Sequence, residues 1–72
     1  MAKETIGVSN LSGGAQKRAD ALGNEGDWVF ARRYGRGWRL AVYDPSSTTR
    51  AAADKAYQAY IDDGWQMVDF GR

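Results

Sequence analysis

Aromatic and aliphatic residues of high strand preference dominate two runs, Trp28 to Tyr34 and Trp38 to Tyr43. Gly35, Arg36 and Gly37 lie between the two runs. This pattern predicts a β-hairpin. A three-residue loop with Gly37 in a left-handed bulge pairs Tyr34 with Trp38, Arg32 with Leu40 and Phe30 with Val42. It gathers Trp28, Phe30, Tyr34, Trp38, Leu40 and Val42 on one core face, from which Arg32 alone must reach out to solvent. A two-residue Gly35-Arg36 turn of type II′ would shift the pairing by one and mix the faces. Segregation of apolar from charged side chains therefore favours the longer loop.

Elsewhere the period is helical. Ser12 is placed as an N-cap, Ala15, Ala19 and Leu22 follow on one face, and Gly23 is placed to stop the helix. Asp44-Pro45 ends the hairpin. A second helix is predicted from about Ser47 or Thr48 to Asp63, with Ala53, Ala56, Tyr57, Tyr60 and Ile61 as its apolar stripe and Gly64 closing it. Trp65 to Phe70 reads as a final strand that is apolar on both faces, hence covered on both sides or meeting a partner. Lys3 to Asn10 is a weaker strand candidate, weakened by Gly7; residues 1–10 form either this strand or a flexible lead. The order (β)αββαβ gives an α+β fold, a small antiparallel sheet with two helices. If the first strand is real, the arrangement is the ferredoxin-like split βαβ.

Composition narrows the function. Seventy-two residues make one domain, residues 1–72, with no cysteine and no histidine. Disulfides, thiolate metal sites and the commonest general base are therefore absent, and nine aromatic residues must supply much of the packing. An enzyme is not expected: a serine nucleophile would lack its base, and capping is the expected role of Ser46 and Ser47. No cofactor or metal is expected, because no phosphate loop or EF-hand spacing is present. No apolar run is long enough for a membrane span or a signal peptide, so the expectation is a cytoplasmic protein.

The net charge of +1 hides an uneven distribution. Five arginines and one acid fall between Arg32 and Arg50, while the end is acidic. Arg32, Arg33, Arg36 and Arg39 cluster around the hairpin turn with Tyr34 and Trp38. Arginine beside aromatic rings pairs carboxylates or phosphates, stacks on bases and dominates binding hot spots. These six residues are the candidate partner-binding site. Asp54, Asp62 and Asp63 form a candidate secondary acidic patch. The last two oppose the helix dipole, which hints at use by a basic partner.

Two resemblances bear on the partner. Ile6-Gly7-Val8-Ser9-Asn10-Leu11 and Arg36-Gly37-Trp38-Arg39-Leu40-Ala41-Val42-Tyr43 resemble the two signature strands of an RNA-recognition motif, although Gly7 and Leu40 stand where that family has stacking aromatics. This implies single-stranded nucleic-acid binding as the alternative function. In size and architecture the whole chain also resembles the small phage-encoded inhibitors of the anti-CRISPR type. That resemblance implies a non-catalytic blocker of a protein or ribonucleoprotein defence complex, acting in the host cytoplasm. A third option is a homodimer formed through the final strand.

Overall fold

The computed structural model describes residues 5–23 and 26–71. Among them are strand β1 (Thr5–Gly7), helix α1 (Gly13–Leu22), strands β2 (Trp28–Tyr34) and β3 (Gly37–Tyr43), helix α2 (Arg50–Asp62) and strand β4 (Gln66–Asp69). Short 3-10 turns, Val8–Asn10 and Pro45–Ser47, follow β1 and β3. The fold is α+β. The weak first strand exists, although Lys3 and its neighbours lie outside the described residues.

Two expectations about the sheet need correction. It is mixed, not antiparallel: the order is β1-β4-β2-β3, with β1 parallel to β4 and the other neighbours antiparallel. It is also not ferredoxin-like, since that arrangement puts both helices on one face, and here each face has its own. Val29, Ala31 and Val68 pack with Leu11, Ala15 and Ala19 from the α1 side. On the other face Phe30 stacks on Tyr60 of α2 (centroids 4.3 Å apart, planes at 12°), and Trp28 meets Tyr57 edge-on at 5.8 Å.

Covering both faces also decides the hairpin register. Tyr34 pairs with Gly37, Arg32 with Arg39, Ala31 with Leu40 and Phe30 with Ala41. The connection is therefore the two-residue Gly35-Arg36 turn, not the three-residue loop. Gly35 takes φ +56 and Arg36 is not among the positive-φ residues, as a type II′ turn requires. The argument for the longer loop assumed a dry face and a wet one. With a helix on each side, mixing apolar residues between faces costs nothing, and Val29, Phe30 and Ala31 are buried in succession. Trp38, Leu40 and Val42 therefore lie on the face opposite Trp28, Phe30 and Tyr34, and Val29 and Ala31, expected outside the core, are buried while Tyr34 is exposed.

The same arrangement explains the two-faced apolar pattern of the last strand. β4 lies inside the sheet between β1 and β2, with Met67 opposite Phe30 and Val68 buried on the α1 side. Its backbone is already paired on both sides, so self-association through β4 has no free edge to use.

Helix ends follow local chemistry. Thr49 caps α2, its hydroxyl accepting from the Ala52 amide, two residues later than the predicted start because Pro45–Ser47 forms its own turn. Gly64 closes α2 with φ +92. Ser12 holds the N-cap position of α1 without a side-chain bond. The chain entry is fixed instead by Gln16, whose amide donates to the Leu11 and Ser9 carbonyls. Leu11 is buried, whereas Leu22, in the last turn, is 46% exposed. Gly23 is the C-cap with an ordinary φ of −81. Its missing side chain matters for space, since a Cβ there would lie 3.0 Å from a Val29 methyl.

Candidate binding surface at the hairpin tip

Strand pleat sends neighbouring side chains to opposite faces, so the six predicted residues divide. Arg32, Tyr34 and Arg39 share the α2 side, with the guanidinium carbons of Arg32 and Arg39 at 5.1 and 4.6 Å from the Tyr34 ring centre. Arg33 and Trp38 form a cross-strand pair on the α1 side, the guanidinium 5.6 Å from the indole. Arg36 stands at the apex. The tip is therefore a two-sided basic and aromatic wedge, not one flat patch.

Only one of these arginines has a carboxylate partner among the described residues. Arg32 Nη1 lies 3.2 Å from Asp63 Oδ2, which also accepts from the Trp65 indole N–H at 3.1 Å. Asp63 is the C-cap of α2. The carboxylate that looked misplaced against the helix dipole is thus offset by Arg32, and the contact braces the hairpin against the helix end. Arg33, Arg36 and Arg39 have no ion pair among the described residues and stand beside a Tyr34 that is 43% exposed. Arg33 makes a single long bond, to the Gly35 carbonyl at 3.4 Å.

Sequence reasoning missed Arg18. From α1 it donates to the Trp38 carbonyl at 3.2 Å, adding a guanidinium to the α1 side of the hairpin. Its place three residues after buried Ala15, at the edge of the packed face, was the available signal.

The acidic residues do not assemble into one patch. Asp54 sits opposite Arg50, 4.0 Å away across one helical turn, with both side chains largely exposed. Asp62 accepts from Gln58 at 2.9 Å. Eight residues separate Asp54 from Asp62, about 12 Å along a helix axis, and Asp63 is already engaged. Among the described residues no three acidic groups converge as metal ligands would.

No protein family, curated protein or solved structure matches the chain.

Ser46 and Ser47, expected as helix caps, serve the turn before α2 instead, and Thr49 is the cap. Ser46 donates through its hydroxyl (2.6 Å) and its amide (2.9 Å) to Asp44 Oδ1, and the Ser47 hydroxyl donates to the Asp44 carbonyl. The bonds from Ser46 hold the Asp44 carboxyl below its ordinary value. No helix of the described residues is long and apolar enough to cross a membrane.

Proposed function

We propose that this chain is a non-catalytic binding protein whose hairpin tip docks on an acidic surface of a protein or ribonucleoprotein complex. The mode of action is obstruction: occupying the surface blocks nucleic-acid or subunit docking. The size and architecture suit an inhibitor of the anti-CRISPR type working in the host cytoplasm. The observation that carries the reading is the set of Arg33, Arg36 and Arg39, free of ion pairs within the described chain. They surround two aromatic rings on a tip that Arg32 and Asp63 brace. Arginine and aromatic side chains presented on a stiff support are what dominate binding energy in protein interfaces.

A nucleic acid could meet the same chemistry, but only at the tip. RNA-recognition motifs lay their strand across an open sheet face, and here helices occupy both faces.

The test is capture of a defence complex from host lysate by the immobilised chain. Replacing Arg36 and Arg39 together by Glu should abolish capture, since hot-spot residues are typically worth about 2 kcal/mol or more each. Equal capture by the doubly substituted chain overturns the assignment. A mobility shift of single-stranded nucleic acid that weakens steeply with salt would select the nucleic-acid reading instead.

A further inference from the structure

We infer that β3 is a self-pairing edge, and that two copies of this chain join β3 to β3 antiparallel, centred on Leu40, into one continuous eight-stranded sheet. β3 ends the strand order, so one side of its backbone has no neighbouring strand among the described residues. The II′ turn closes with Tyr34 and Gly37 as a hydrogen-bonded pair, and bonded pairs alternate along the ladder. Arg39, Ala41 and Tyr43 therefore bond inward to β2, while the N–H and C=O groups of Trp38, Leu40 and Val42 point outward. Of these six groups the Trp38 carbonyl receives Arg18; the others have no partner among the described residues.

Edge strands in soluble proteins are usually blunted by Pro, Lys, a bulge or short length. β3 has none of these. It runs seven residues in unbroken register, and its one charge, Arg39, leans over Tyr34 on the α2 side. The other edge, β1, is three residues long.

The occupant is argued from residue pairing. With Leu40 opposite its own copy, Trp38 faces Val42, Arg39 faces Ala41 and Gly37 faces Tyr43. Leu40 apart, every large side chain meets a smaller one, and no like charges oppose each other. Val42, 39% exposed in the single chain, gains the Trp38 ring as cover, and Tyr43 shields the bare Gly37 backbone. Centring on Arg39 instead would set two guanidinium groups face to face, which disfavours that register. The small core adds a reason. Phe30 and Val29 are the largest fully buried side chains, and chains of this size commonly draw stability from association.

Sedimentation of the full chain from micromolar to near-millimolar concentration should show a monomer–dimer equilibrium. Val42→Lys places an ammonium against the partner's Trp38 and should weaken the dimer roughly tenfold or more, while Val42→Thr should retain it. Thermal melts confirm that both variants fold. A strict monomer at the highest concentration overturns the proposal, as does a dimer indifferent to Val42→Lys. Neither result bears on capture by the tip arginines, so this proposal and the binding function fail separately.

Discussion

Single side chains account for several local features. Asp44 holds the turn before α2 through three bonds involving Ser46 and Ser47, and its carboxyl is held below the ordinary aspartate value of 3.8. A depressed carboxylate stabilises the fold at pH above its unfolded value, and that contribution disappears as pH falls through the folded value. An NMR titration of Asp44 should therefore show a midpoint below that of an unstructured aspartate. Ser46→Ala should bring it back toward the ordinary value. At Gly23 the constraint is space. Gly23→Ala puts a methyl 3.0 Å from Val29 in the α1 layer, and overpacking of this kind costs about 1–3 kcal/mol. Chemical denaturation would read the loss as a lower midpoint with an unchanged slope.

Elements were legible where chemistry is local. The apolar stripe of α2, its closing glycine and the strand character of β2, β3 and β4 can all be read from spacing alone. Thr49 as the cap could not, because Ser46, Ser47 and Thr48 compete for the same role and only the Asp44 turn removes two of them. Thr49→Ala should lower stability by about 1 kcal/mol, visible as a reduced melting temperature by circular dichroism. Register was the least legible feature. A hairpin pattern with a wet side and a dry side reports its own pairing, but residues 28–31 are apolar on both sides of the strand. The candidate site suffered in turn: its six residues do share the hairpin tip, yet their division into an Arg32–Tyr34–Arg39 cluster and an Arg33–Trp38 pair depends on that register. The Asp63 brace required knowing that the end of α2 approaches β2. Removing it by Asp63→Asn should change stability by less than about 1 kcal/mol, because the pair is solvent-exposed.

The molecule is three layers thick for 72 residues, so each layer is thin. Phe30 is fully buried on the α2 side, contacted by Trp28, Tyr57 and Tyr60. Phe30→Ala should remove about 3–5 kcal/mol. That is comparable with all the net stability a core of this size supplies, so the variant should show no cooperative melt above room temperature. The Gly35-Arg36 connection carries a different liability. Because both sides of the sheet are filled, adding or deleting a single residue there would turn β3 over about its own axis. Val42 and Leu40 would then exchange places with Arg39 and Tyr43 beneath the wrong helix. The chemistry of this tip can be changed residue by residue, but its length is fixed by the packing on either side.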